Sequence, residues 1–160
     1  MAIRQIVGMK DEAFLRKKSR PVEAFDQKLK DLVTDLFHTL DNEDGYGLAA
    51  PQVGILKRVA VIEYEGKKYV LINPVITQSS GEQTDFEGCL SVRGRNRLVI
   101  RPNEITVSNR GMDGSSHEIK ASGWLARIFC HEMDHLDGVL YIDKCLPIEA
   151  EAEFLSKQGD

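Results

Sequence analysis

The segment that most constrains the fold lies near the C-terminal end, where residues 123–136 read GWLARIFCHEMDHL. Four of its side chains are separated by four, three and four residues and so fall on one helix face: Trp124, Ile128, His131 and His135. Ser122 stands at the position of an N-cap, and Gly138 lies just past the last turn. The pattern therefore predicts a helix over Gly123–Leu136 that is buried along one side.

Residues 131–135 of this predicted helix, HEMDH, carry the pattern HExxH. Two histidines at i and i+4 lie one turn apart on one face, so His131 and His135 can both reach one metal ion. Glu132 is then close enough to exchange a proton with a water on that ion. The alternative is an amphipathic helix with two incidental histidines.

A catalytic site of this kind needs a third protein ligand, with one position left for water or substrate. Cys89, within EGCLS at 87–91, offers a thiolate. Cys130 is the rival, but neighbouring residues on a helix diverge by about 100° and cannot share one small ion with His131. Cys89 is thus the favoured ligand, although a lone cysteine is more often a small buried side chain. We expect a structural role for Cys145.

The rest of the chain predicts a mixture of strands and helices. Leucine and valine recur at helical spacing from about Asp26 to Asn42. β-Branched and aromatic runs then predict five strands and a hairpin turn at 65–67, with a sixth short strand before the HExxH helix. A short helix closes the chain at Ile148–Lys157. The predicted strands are Arg58–Tyr64, Lys68–Ile72, Val75–Gln78, Arg97–Arg101, Glu104–Asn109 and His117–Ala121.

Length and charge limit the classes of function. The 160 residues predict one domain over 1–160. A net charge of −4 disfavours a nucleic-acid module, and no apolar run approaches the ~18 residues of a membrane helix. Three cysteines without a CxxC pattern, and an N-terminus unlike a signal peptide, favour a cytoplasmic protein.

A third motif, GYGLAAPQ at 45–52, lies between the long helix and the first strand. Its glycines and alanines leave the backbone open to close approach, and Gln52 supplies an amide donor beside it. The alternative is a tight helix-to-strand connection without a chemical role.

GYGLAAPQ, EGCLS and HEMDH, in this order, closely resemble the three motifs of the peptide deformylase family, and DHLDGVLYIDK extends the similarity. The resemblance covers nearly the whole chain. It implies an α+β fold in which antiparallel or mixed β-sheets pack around a central metal-binding helix of the HExxH type. It also implies a cytosolic bacterial hydrolase that removes the N-formyl group from the N-terminal Met of nascent polypeptides and releases formate.

The resemblance further implies roles for individual residues. A metal-bound water would attack the formyl carbon with Glu132 as general base and acid, while the Gln52 side chain and Leu90 N–H stabilise the oxyanion. One divalent ion per chain is implied, Fe²⁺ in the cell, with Zn²⁺, Ni²⁺ or Co²⁺ in preparations. The residues assigned to the metal are Cys89, His131 and His135, and those assigned to the substrate are Gly45, Gly47, Glu87, Trp124 and Ile128.

Several interpretations stay open at this point. Trp124 and Ile128 could equally be core residues, and Arg127 could form a salt bridge or cap the pocket rim. The basic run 93–97 is either solvated charge, which is the commoner case, or a contact surface for the peptide, the ribosome or RNA. A transient contact with the ribosome is expected in addition. An HExxH metalloprotease and a metal-binding module without activity are the alternatives to a deformylase. A membrane or a specific nucleic acid is not expected as a partner.

Overall fold

In a computed structural model, which describes residues 2–158, three antiparallel sheets and four α-helices make up this part of the chain. The sheet orders are β1-β2-β3, β4-β7-β8 and β5-β6. The helices are α1 (Glu12–Leu15), α2 (Gln27–Glu43), α3 (Gly123–Leu136) and α4 (Ile148–Gln158). The strands are β1 (Gly47–Ala49), β2 (Val59–Tyr64), β3 (Lys67–Ile72), β4 (Val75–Ser80), β5 (Gln83–Cys89), β6 (Val92–Arg101), β7 (Glu104–Arg110) and β8 (Ser116–Ser122).

Helix α2 begins where its sequence supplies a cap. The Asp26 carboxylate accepts a hydrogen bond from the Leu29 N–H at 3.1 Å, which satisfies one of the free donors of the first turn. The helix ends at Glu43, and the C-cap residue Asp44 has a left-handed backbone with a φ of 57°. The predicted leucine face is buried against β1 and β2. The glycine-rich motif follows directly after the helix in the chain.

The predicted hairpin joins β2 and β3. Glu65 and Gly66 both have positive φ, 50° and 78°, as a two-residue turn requires when it follows the twist of its strands. The register Tyr64↔Lys67 through Val59↔Ile72 is unbroken.

The β5–β6 hairpin is irregular where it matters for the site. Glu87 pairs with Arg97 and Cys89 pairs with Val92, so Gly88 faces an excursion over residues 93–96. A Cβ on Gly88 would lie 2.6 Å from Asn96 Oδ1, so the Asn96 side chain packs directly against this glycine. The excursion carries the sequence RGRN out over the neighbouring cavity.

Helix α3 has the predicted bounds and packs against β1, β2 and β8. Phe129, Met133 and Leu136 join the same apolar cluster as Ile62 and Val107, which fixes the helix by its apolar face. No helix within residues 2–158 is both long enough and apolar enough to cross a membrane.

Some local predictions were incomplete or wrong. Ser122 is the N-cap residue of α3, as predicted, but its side chain makes no cap hydrogen bond. Strands β1 and β5 were missed, and β6 begins at Val92 rather than Arg97. All paired strands of the three sheets are antiparallel, so the mixed sheet allowed by the sequence is not observed in the described residues.

Candidate metal centre and substrate pocket

The three residues predicted as ligands converge on one point. Cys89 comes from the end of β5, and His131 and His135 come from successive turns of α3; their ligand atoms all lie within 4.8 Å of one another. Cys89 Sγ is 3.3 Å from His135 Nε2. One thiolate and two imidazoles are a donor set that suits a divalent transition metal. The side chains therefore fit the ion that the sequence implies.

The orientation of His131 is set by Glu87. The two residues meet at 2.9 Å between His131 Nδ1 and Glu87 Oε1. Because an ionised carboxylate can only accept, Nδ1 donates and Nε2 is left to face the cluster. Tyr141 stacks against the other side of the ring, with centroids 5.9 Å apart. The imidazole is thus held in position by two contacts.

The electrostatics of the cluster favour the metal-binding form of the cysteine. Burial opposes ionisation of Cys89, but the neighbouring His135 and His131 outweigh it and hold the pKa of the thiol well below its usual range. Burial alone would lower the pKa of His131, but contacts with Cys89 and Glu87 raise it well above 6.5. Since a ligand must be a neutral imidazole, a metal ion and a proton compete for His131.

Glu132 lies beside the ligands with an unusual environment. Its carboxylate is buried, Oε1 has no hydrogen-bond partner, and burial raises its pKa. Burying a carboxylate without a hydrogen-bond partner destabilises the folded state, so such a group is unusual in a purely structural site. It is suited instead to exchanging protons with a bound molecule.

The close approach predicted for the glycine-rich motif is made by this glutamate. A Cβ on Gly47 would lie 2.6 Å from Glu132 Oε2 and 2.8 Å from its Cγ. Only glycine therefore lets β1 lie directly against the Glu132 side chain.

Gln52 is buried and its amide is oriented by the backbone. The Ala49 N–H donates to Gln52 Oε1 at 3.0 Å, which turns Nε2 toward the site. Nε2 lies 3.1 Å from Ser91 Oγ and 3.6 Å from Cys89 Sγ. This carboxamide donor is therefore adjacent to the ligand cluster.

A pocket of about 550 Å³ opens beside these residues. The sequence-assigned residues in its lining are Gly45, Gly47, Gln52, Glu87, Cys89, Leu90, Trp124, Ile128, His131 and Glu132. His135, which is fully buried, does not line it. Glu87 reaches the lining, but both of its oxygens are occupied by protein groups, so its carboxylate has little capacity left for a substrate.

The structure resolves several interpretations that the sequence left open. Arg127 is buried in a salt bridge with Glu87 at 2.6 Å, so it does not cap the rim. Cys130 is buried away from the ligand cluster, and burial raises its pKa to about 11.

Sequence reasoning missed three contributors: Ser91, Tyr141 and Phe86. Ser91 accepts from Gln52 and its N–H contacts Cys89 Sγ at 3.4 Å, while Phe86 lines the pocket. Ser91 lies inside the EGCLS motif and Tyr141 inside the similar stretch after HEMDH, so the motifs themselves carried a signal.

Comparison with known proteins identifies the family. The family model described as polypeptide deformylase matches residues 3–151. The chain belongs to this family. It is accordingly an enzyme of the peptide deformylase kind, a hydrolase of protein biosynthesis that removes the N-formyl group from nascent peptides. Peptide deformylases are metalloenzymes, in keeping with the Cys89, His131 and His135 group.

Individual relatives agree over nearly the whole chain. A peptide deformylase of Finegoldia magna is 46% identical over 99% of both chains, and peptide deformylase 1 of Clostridium acetobutylicum is 50% identical over 90% of this chain and 95% of its own. The crystal structure from Thermotoga maritima has a TM-score of 0.88 at 36% identity, covering 92% of this chain and all of that one. That of Synechococcus elongatus, in complex with actinonin, has a TM-score of 0.86 at 36% identity, covering 99% and 91%.

Proposed function

We propose that residues 1–160 form one catalytic domain that deformylates the N-terminal Met of nascent polypeptides at the Cys89–His131–His135 cluster. In this proposal α3 is the central metal-binding helix around which the sheets pack. The observation that carries it is the convergence of three ligand atoms within 4.8 Å beside the buried, unpartnered carboxylate of Glu132.

The expected metal is one divalent ion per chain, Fe²⁺ in the cell, with Zn²⁺, Ni²⁺ or Co²⁺ as substitutes in preparations. When bound, such an ion polarises the formyl carbonyl and lowers the pKa of a bound water. Two of the three ligands are positioned by contacts outside the cluster: Glu87 holds His131, and the Ser91 N–H lies against Cys89 Sγ. His135 is different, because its Nδ1 has no hydrogen-bond partner and its Nε2 faces Cys89 itself.

Glu132 moves the protons. Its carboxylate accepts a proton from the attacking water and later delivers it to the leaving amine. Burial raises the pKa of Glu132 toward neutral pH. A pKa nearer neutrality suits a group that must both accept and donate a proton. Its packing against Gly47 limits the positions that the carboxylate can adopt.

Two donors are assigned to the oxygen that becomes negative during the reaction. Gln52 Nε2 lies next to Cys89 and is held by the Ala49 contact, so its direction is fixed before substrate arrives. Leu90 follows Cys89 at the hairpin turn and supplies the second donor through its backbone N–H.

The pocket suits the side chain of formyl-methionine. Trp124, Ile128 and Phe86 provide apolar walls beside the cluster, which an unbranched thioether can fill. Gly45 and Gly47 also line this pocket, and we assign them to contacts with the substrate. The enzyme is expected to meet its substrates in the cytoplasm, during a transient contact with the ribosome.

The test is formate release from formyl-Met-Ala-Ser by Fe²⁺- or Ni²⁺-loaded protein prepared without oxygen. Glu132→Ala should bind metal but release no formate, whereas Glu104→Ala, which removes an exposed acid on β7, should match the parent.

Two results would reject the proposal. Formate release by metal-replete Glu132→Ala would show that another group moves the proton. No release by metal-replete parent protein would indicate a binding module, and cleavage of unformylated peptides would point instead to a metalloprotease.

A further inference from the structure

Arg127 is a buried cation whose hydrogen bonds all go to the hairpin that carries Cys89. It occupies α3 one turn before His131, and only 1% of it is exposed. Its Nη1 contacts Glu87 Oε2 at 2.6 Å, Val99 O at 3.0 Å and Asp85 O at 3.4 Å. Its Nη2 donates to Gln83 O at 3.2 Å. One side chain of α3 thus makes four hydrogen bonds to β5 and β6.

The carboxylate that Arg127 holds is the one that orients His131. Glu87 Oε1 accepts from His131 Nδ1, and Arg101 donates to both oxygens at 2.8 Å. Arg101 also binds Asp134, which pairs in turn with Lys144. A carboxylate fixed on both oxygens cannot rotate away from the imidazole.

The arrangement links the two halves of the ligand set. Helix α3 supplies His131 and His135, whereas β5 supplies Cys89 two residues after Glu87. Because Arg127 joins α3 to the Glu87 carboxylate and to three hairpin carbonyls, it constrains the position of Cys89 relative to the two histidines.

We propose that Arg127 is a positioning residue for the metal centre, which acts through Glu87 to hold His131 in its ligand orientation and to hold the Cys89 hairpin against α3. This inference rests on the proposed ligand set. It assigns Arg127 no contact with the reacting atoms. A purely structural role would also explain burial, but it would not couple Arg127 to Glu87 in metal affinity.

The test is a double-mutant cycle read out by Co²⁺ binding under competition with a chromophoric chelator. Arg127→Met keeps an unbranched side chain but removes the guanidinium group, whose forked pair of nitrogens makes the contacts. Glu87→Gln keeps the shape of the side chain but removes its charge. We expect each to raise the Kd for Co²⁺ by about 10–100-fold and to shift the visible cobalt bands. The double variant should bind within about two-fold of the weaker single variant, because both changes break the same contact.

Independent effects of the two substitutions would overturn the inference. The Kd of the double variant for Co²⁺ would then rise by the product of the two single-variant fold-changes. A parental Kd and spectrum for Arg127→Met would overturn it as well. Should Arg127→Met fail to fold, the cycle is run with Arg127→Lys, which keeps the cation but not the fork. A parental Kd in that variant contradicts the proposal, since the fork is what spans the carboxylate and the carbonyls.

Arg4→Met is the matched control. Arg4 also holds a buried acid with two nitrogens, contacting Asp35 Oδ2 at 3.0 and 2.9 Å, but on α2. It should leave the Kd unchanged, and an equal rise there would mean that the Arg127 effect is general loosening. Parent and Cys89→Ser come first. Absence of a sulfur-to-cobalt band that depends on Cys89 would overturn the ligand set and this inference together, whereas an Arg127 failure alone leaves the ligand set standing.

Discussion

At the residue scale, the contact between Gly47 and Glu132 joins two motifs that lie far apart in the sequence. The glycine is the first residue of β1, and the glutamate lies between the two histidine ligands of α3. Since the Glu132 side chain occupies the space of a Cβ at position 47, the position of the carboxylate depends on the absence of that one carbon.

Gly47→Ala should therefore damage catalysis more than folding. The added Cβ would displace Glu132 by about 1 Å or more, and a misplacement of that size costs on the order of 100-fold in rate. We expect kcat for formyl-Met-Ala-Ser to fall by about this factor while the metal content stays stoichiometric.

Gly8→Ala is the control, because a Cβ there meets no atom within 4 Å. It should match the parent in kcat and in thermal unfolding. Parental kcat in Gly47→Ala would mean that Glu132 tolerates displacement, which the proposed proton transfer does not allow.

At the element scale, the N-terminal segment is fastened to α2 by one buried acid. The Ala2 N–H donates to Asp35 Oδ1 at 2.8 Å, and Arg4 pairs with Oδ2. Further along the same segment, the Val7 N–H donates to Gln52 O at 2.7 Å. The N-terminal segment is therefore also hydrogen-bonded to the glycine-rich motif. These contacts lower the pKa of Asp35, the Ala2 hydrogen bond most of all.

Asp35→Asn should destabilise the protein in a pH-dependent way. Because the folded state lowers the pKa of Asp35, its stabilisation is fully present above the ordinary value of 3.8 and is lost as pH falls through the lower folded value. We expect the free energy of unfolding to drop by about 1–3 kcal/mol at neutral pH. The gap between variant and parent should narrow toward about pH 3 in urea titrations. A gap that is independent of pH would contradict the assignment.

The elements that could be predicted from the sequence are those whose own side chains decide them. Helices α2 and α3 have strong apolar periodicity, and both were predicted to within a residue at each end. Strand β5 has a polar sequence, QTDFEGC, with only half-buried side chains over most of its length. Its extended form comes from pairing with β6, which no local pattern reports.

The same distinction explains what could be predicted of the site. Cys89, Gln52 and Glu132 are marked by motifs, and the structure brings all three to one pocket. The environment of Glu87 could not be predicted in this way, because its three partners, Arg101, Arg127 and His131, come from β6 and α3. Charge pairing between distant elements depends on the tertiary fold.

At the scale of the whole molecule, the ligand cluster is also a cross-link. It joins the β5–β6 hairpin to α3, and α3 belongs to the apolar core shared with the other two sheets. A ligand that binds the folded state alone raises its stability by mass action, and the unfolded chain presents these three side chains only at random.

Removing the metal should therefore lower the melting temperature of the entire chain in one transition. At about 100 times its Kd, a bound ion contributes about 2.7 kcal/mol, which for a protein of this size corresponds to about 5–10 °C. The measurement is calorimetry of metal-loaded and chelator-treated protein, with Cys89→Ser as the control that should respond much less to metal. An unchanged melting temperature in the parent would show that the cluster does not couple the hairpin to the core. Separate transitions would show that the hairpin unfolds independently of α3.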